Sequence, residues 1–67
     1  MVNVWEYAND LPRVRVTGKD DSVFSGRVIH VIDAEEIEES EDYISVEAGT
    51  GEIRLFGASE IKSIERI

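Results

Sequence analysis

The chain lacks several features on which whole classes of protein depend. It has no cysteine, so neither a disulfide nor a thiolate zinc site can stabilise it. No apolar run approaches the length of a transmembrane helix, and the N-terminus has neither the basic region nor the apolar segment of a signal peptide. These absences predict a cytoplasmic protein that does not enter the membrane.

Groups that carry catalysis are also scarce. His30 is the one histidine, and the sequence has neither a glycine-rich phosphate loop nor residues at metal-ligand spacing. We therefore expect no catalytic residue, no metal and no cofactor, and we do not expect an enzyme. Because His30 interrupts an apolar run, we expect it to be partly buried and hydrogen-bonded.

The length of the chain limits how it achieves stability. Its 67 residues form one domain, 1–67, close to the lower size at which a chain buries enough apolar surface to fold unaided. A small domain without a covalent staple often gains stability by burying further surface against copies of itself. The size therefore favours a homo-oligomer.

The net charge of −8 is concentrated in one segment. The run DAEEIEESED, from Asp33 to Asp42, holds seven of the fifteen acidic residues and no basic one. Such a run is typical of a solvated loop, and it also suits a surface that binds a basic protein or repels nucleic acid. The calcium-loop pattern DxDxDG is absent. The candidate acidic partner surface comprises Glu35, Glu36, Glu38, Glu39, Glu41 and Asp42.

The first ten residues carry a helical pattern. Asn3 followed by Glu6 resembles a capping box, and apolar residues then recur at helical spacing from Val4 to Leu11. Pro12 disfavours helical geometry at Leu11, so we expect a short helix that ends near Asp10. Trp5 lies beside the apolar stripe and is expected to cover one mouth of a barrel.

The remaining sequence predicts five short strands. Alternation of apolar and polar residues indicates strands in which Ile44, Val46, Ile53 and Leu55 face inward, and Gly49 to Gly51 form a hairpin turn. Ile61 and Ile64 lie three apart, which favours a 3₁₀-like turn between them. The predicted strands are residues 13–18, 23–32, 43–48, 52–56 and 61–65.

Gly26 is the most informative single residue. It lies between Phe24 and Val28 on the face of the second strand that should be buried. An inward glycine in a strand usually marks a sharp bend or the close approach of another backbone. Such a bend lets a small antiparallel sheet curl into a barrel.

This arrangement resembles the Sm and Sm-like (LSm) proteins. Their first motif has two apolar residues two apart, an aromatic or apolar residue eight positions later, and then x-Gly-x-apolar; here these are Val14, Val16, Phe24, Gly26 and Val28. The resemblance implies a mostly β fold, in which a short N-terminal helix precedes a five-stranded, strongly bent, antiparallel SH3-like barrel.

The end of the chain resembles the second Sm motif. Leu55-Phe56-Gly57, followed by Ile61 and Ile64, looks like the counterpart of its apolar-Arg-Gly sequence and of the short apolar strand after it, with one extra residue after the glycine. In the family, the fourth strand of one subunit pairs with the fifth strand of the next. The resemblance thus implies a ring whose interface includes Ile53, Leu55, Ile61 and Ile64.

The departures from the family bear on function. RNA-binding members hold uridine with an Asp-x-x-Met-Asn segment and the arginine of the second motif; here Phe56 replaces that arginine and the acidic run replaces the Met-Asn element. Tyr43 falls near the asparagine position, where it would stack on a base or lie as a solvent-facing strand residue. Other candidate contacts to RNA or to a partner are Arg13, Arg15, Arg27, Arg54 and Phe56, with Lys19 in addition.

Two functions follow from the sequence. One is an Sm-like, RNA-associated protein whose uridine pocket is altered or lost. The other is a protein-interaction module whose acidic loop binds a basic partner, with mimicry of nucleic acid as a subtype.

Overall fold

The computed structural model describes residues 2–67 and contains five antiparallel strands in a single sheet. The strands lie in the order β4-β3-β2-β1-β5. Their bounds are β1 Arg13–Gly18, β2 Val23–Ile32, β3 Tyr43–Glu47, β4 Ile53–Gly57 and β5 Ile61–Arg66. The predicted strand positions are therefore confirmed to within one residue at each end.

The sheet is not closed. Within residues 2–67, β4 pairs with β3 and β5 pairs with β1, but β4 and β5 do not pair with each other. The expected mostly β fold of five antiparallel strands is therefore confirmed, and the sheet stays open between β4 and β5. Both outer strands present a free edge, whose unpaired backbone groups are able to bond another strand.

The predicted N-terminal helix is a single 3₁₀ turn, Val4–Tyr7. The Asn3 side chain caps it by accepting a hydrogen bond from the Trp5 amide at 3.2 Å. The helix ends at Tyr7 and does not reach Asp10; Leu11, before Pro12 and β1, takes a left-handed φ of 44°. Val4 and Tyr7 are buried as the apolar spacing predicts.

The core consists of one apolar cluster on the inner face of the sheet. Its fully buried members come from the 3₁₀ turn and from β1, β2 and β3: Val4, Val14, Val16, Val28, Ile44 and Val46. Phe56 from β4 and Ile61 from β5 complete the cluster. Ile44 and Val46 thus face inward, as predicted.

Two bulges adjust which residues face the core. In β2, Val28 pairs with Val46 and His30 with Ser45, which leaves Ile29 as an extra residue. Because of this extra residue, Val28 and Val31 are both buried although they are three positions apart, and His30 is exposed. The expectation that His30 is partly buried is wrong.

A second bulge lies in β5. Thr17 pairs with Ser63 and Gly18 with Ile61, so Lys62 is the extra residue. The bulge explains the three-residue spacing of Ile61 and Ile64 within one continuous strand. The 3₁₀ turn expected between them instead precedes β5, at Ala58–Glu60.

The facing of β4 is opposite to the prediction. Ile53 and Leu55 are 53% and 56% exposed, whereas Phe56 is buried. Arg54 lies on the same side as Phe56, with its guanidinium carbon 5.4 Å from the centroid of the Phe24 ring. This cation–π contact lets the charged residue take the inner side of an edge strand, where its head still reaches solvent.

Candidate nucleic-acid and protein interfaces

The acidic run, residues 33–42, folds into consecutive turns between β2 and β3. The Asp33 carboxylate accepts a hydrogen bond from the Glu35 amide at 2.8 Å, and the Glu39 amide donates to the Ala34 carbonyl at 3.0 Å. Glu38 takes a left-handed φ of 56°. These turns leave four carboxylates in solvent, those of Glu35, Glu36, Glu38 and Glu39.

Glu41 connects the acidic loop to the turn between β4 and β5. Its carboxylate accepts hydrogen bonds from the Ser59 amide at 2.6 Å and from the Ser59 hydroxyl at 2.9 Å. The Ser59 turn is further held because the Glu60 carboxylate accepts from the Gly57 amide at 2.8 Å. Glu41 therefore ties two loops together, and both of its oxygens are engaged within the chain.

Asp42 connects the same loop to the N-terminal turn. One carboxylate oxygen accepts a hydrogen bond from the Ala34 amide and the other from the Trp5 indole nitrogen, each at 2.8 Å. These two bonds, the amide bond first, hold the pKa of Asp42 below its ordinary value. Trp5 is 41% exposed and does not belong to the core, so it does not cover the barrel mouth as expected.

Tyr43 lies half-buried at the start of β3, in register with Gly57. Burial raises the pKa of its hydroxyl, and the negative charges of Glu39, Glu41 and Glu60 raise that pKa further. The field around Tyr43 therefore opposes any anion. This end of the sheet, where the acidic loop meets the Ser59 turn, is unfavourable to a phosphate.

Phe56 occupies the core. Its ring centroid lies 5.9 Å from that of Phe24 in a tilted arrangement. Arg54 packs over Phe24 and lies 3.6 Å from the Glu52 carboxylate. Phe56 is therefore closed to a partner, whereas the exposed Arg54 is engaged by Phe24 and Glu52.

Three predicted basic residues lie on the outer side of β1 and β2. Arg13 and Arg27 are direct cross-strand neighbours, and both are exposed. Arg15 lies 3.5 Å from the Glu65 carboxylate on β5. Among residues 2–67, Arg13 and Arg27 form no ion pair. Since like charges directly opposite one another destabilise a sheet, the Arg13–Arg27 pair is unusual.

The predicted interface residues divide into two groups. Ile53 and Leu55 lie exposed on β4 at one free edge, and Ile64 is half-buried on β5 at the other. Ile61 is 2% exposed and forms part of the core, so its side chain is not accessible to a partner.

Sequence reasoning missed the contacts that hold the loops. Ser59 carried no signal, because its role depends on Glu41, which is eighteen residues away. The Trp5–Asp42 bond spans thirty-seven residues and is equally invisible to a local pattern. The Arg13–Arg27 pair is predictable from the sequence, because the predicted strands 13–18 and 23–32, joined by a tight turn, bring these two residues opposite each other.

In the residues that the structure describes, no helix is long and apolar enough to cross a membrane. The described side chains also include no group of three potential metal ligands that converge on one point. Comparisons of the chain with protein-family models, with curated proteins and with solved structures give no match.

Proposed function

We propose that this chain is a non-enzymatic Sm-like protein that assembles into a ring and associates with RNA outside the uridine pocket of its family. The strand order supports that family, with Gly26 where the Glu47 backbone lies close to β2 and with β4 and β5 at the two edges. The proposal rests on a fold likeness and on the surfaces that the fold leaves uncovered.

The observation that carries the assembly is the β4 edge. Ile53 and Leu55 present two large apolar side chains on a strand that has a neighbour on one side only. An exposed apolar edge strand invites pairing with another chain, and isolated soluble domains usually blunt such edges with charge. A second copy that offers its β5 would satisfy the backbone groups of both edges and cover Leu55.

The altered uridine pocket follows from the loops. Glu41 bonds Ser59 where the family would place base-binding groups, and the carboxylates around Tyr43 oppose phosphate. RNA association is therefore assigned to the outer side of β1 and β2, where Arg13 and Arg27 lie.

Charge placed on the β4 edge tests the assembly. We expect Leu55→Lys to leave a folded protomer of about the chain mass, 7.5 kDa, because a buried unpaired ammonium would oppose the interface. Val23→Lys is the matched control, because Val23 is 57% exposed on β2, away from both free edges. Light scattering of both variants gives the masses. If the two variants have the same mass, β4 does not form the interface.

A second function is favoured by the four solvated glutamates of the acidic loop. Glu41 and Asp42 are used within the chain, so a basic partner would meet Glu35, Glu36, Glu38 and Glu39. Salt-sensitive capture of a basic protein, without RNA, would favour this function over the first.

A further inference from the structure

The Arg13–Arg27 pair borders a groove that neither the acidic loop nor the free edges reach. The groove has a volume of about 400 Å³ and is lined by Arg13, Gly26, Arg27, Glu47, Ala48, Gly49 and Gly51. Gly49 and Gly51 carry no side chain, and a Cβ atom built on either would meet nothing within 4 Å. The groove is therefore open on the side of the β3–β4 hairpin.

The electrostatics of the groove are unbalanced. Arg15, Arg54, Lys62 and Arg66 each form an ion pair with a carboxylate, whereas within residues 2–67 Arg13, Lys19 and Arg27 form none. Glu47 is the cross-strand neighbour of Arg27, but the two side chains form no ion pair. The two adjacent guanidinium groups thus have one carboxylate nearby, that of Glu47, and neither of them forms an ion pair with it.

We propose that this groove binds the phosphodiester backbone of single-stranded RNA, with Arg13 and Arg27 holding one phosphate between them. Guanidinium groups bind phosphate oxygens through paired, charge-assisted hydrogen bonds, and a bound phosphate would relieve the repulsion across the strands. The proposal rests on the RNA association proposed above and locates it. The carboxylates of an acidic peptide would meet the same two guanidinium groups, and the competition measurement below distinguishes that occupant from RNA.

The nature of the contact predicts how binding responds to RNA sequence and salt. Phosphate contacts carry no sequence information, so oligo(A) and oligo(U) of equal length should bind alike. Loss of one phosphate contact to a single strand should lower affinity about tenfold at low salt. It should also reduce, by about 0.7, the slope of the logarithm of the binding constant against the logarithm of the salt concentration.

The test measures the affinity of both oligonucleotides, at several salt concentrations, for Arg13→Gln, Arg27→Gln and the double variant. We expect each single variant to lose affinity about tenfold on both RNAs, and the double variant to lose less than the product of the two, because the residues share one phosphate. Lys62→Gln is the control: it makes the same charge change, but Lys62 is already paired with Asp21 at 2.9 Å. Its effect should be clearly smaller.

A further pair of measurements separates binding from folding. The melting temperature of the double variant should hold or rise, because two like charges no longer face each other. Arg13→Lys should bind with intermediate affinity, since an ammonium keeps the charge but not the planar fork.

The contrary outcomes are distinct. If the wild type binds neither RNA, both this inference and the RNA association are wrong. If the arginine variants bind as the wild type does, the groove is wrong and the association stands. A loss confined to oligo(U) would indicate base reading, and competition by polyglutamate with the same variant losses would indicate an acidic peptide; either result would overturn the phosphate site.

Discussion

A Cβ atom on Gly26 would lie 2.6 Å from the carbonyl carbon of Glu47, and closer still to the Glu47 oxygen. The backbone of β3 therefore passes over β2 at a distance that only glycine permits. The prediction that Gly26 marks the close approach of another backbone is therefore confirmed.

Gly26→Ala should destabilise the fold severely. The obstacle is backbone and not the end of a flexible side chain, so we expect a loss of at least about 3 kcal/mol in the free energy of unfolding. Gly49→Ala is the matched control, because its Cβ would meet nothing within 4 Å. Urea denaturation of both variants measures the difference. Equal free energies of unfolding for the two variants would show that position 26 does not require glycine.

The bonds between Glu41 and Ser59 should contribute to stability. Glu41→Ala removes both acceptors, and we expect a loss of about 1–2 kcal/mol. Glu36→Ala removes a solvated carboxylate from the same loop and should change stability little. If thermal denaturation gives the same result for both, the loop is not held by Glu41.

Asp42 should make the N-terminal turn sensitive to acid. Its pKa is lowered in the folded chain, so the stability it contributes is complete above its ordinary pKa of 3.8 and is lost as pH falls through the lower folded value. Trp5 is the one tryptophan and donates to Asp42, so its fluorescence should report the change. Asp42→Asn should lack this transition. An identical acid transition in both proteins would contradict the assignment.

Sequence reasoning succeeded where local pattern decides structure and failed where distant residues do. Alternation and Gly26 located all five strands. The bulges at Ile29 and Lys62 were missed, because an extra residue is recognised only from the neighbouring strand. The acidic run predicted a loop, but not that two of its carboxylates bond residues far along the chain.

The facing of β4 was predicted wrongly for an instructive reason. A binary pattern assigns Ile53 and Leu55 to a buried face and Arg54 to solvent. On a free edge strand this rule fails, because apolar residues there are covered only if another chain binds. The error therefore falls at the surface that we assign to assembly.

Neutralising the acidic loop separates its two proposed roles. We expect the Gln variant of Glu35, Glu36, Glu38 and Glu39 to fold normally, with stability unchanged or slightly higher because repulsion is relieved. RNA affinity should rise at low salt, because the less negative chain repels the polyanion less at long range, whereas binding of a basic protein should be lost. Affinity measurements with both ligands test this. If neither changes, the loop is a spacer.

The mass of the wild-type protein in solution shows whether the chain assembles with copies of itself. Light scattering over a dilution series should give a multiple of 7.5 kDa at high micromolar concentration, because a second copy would pair with the free edges and cover the exposed Ile53 and Leu55. A mass of 7.5 kDa throughout, unchanged by concentration, would contradict the ring.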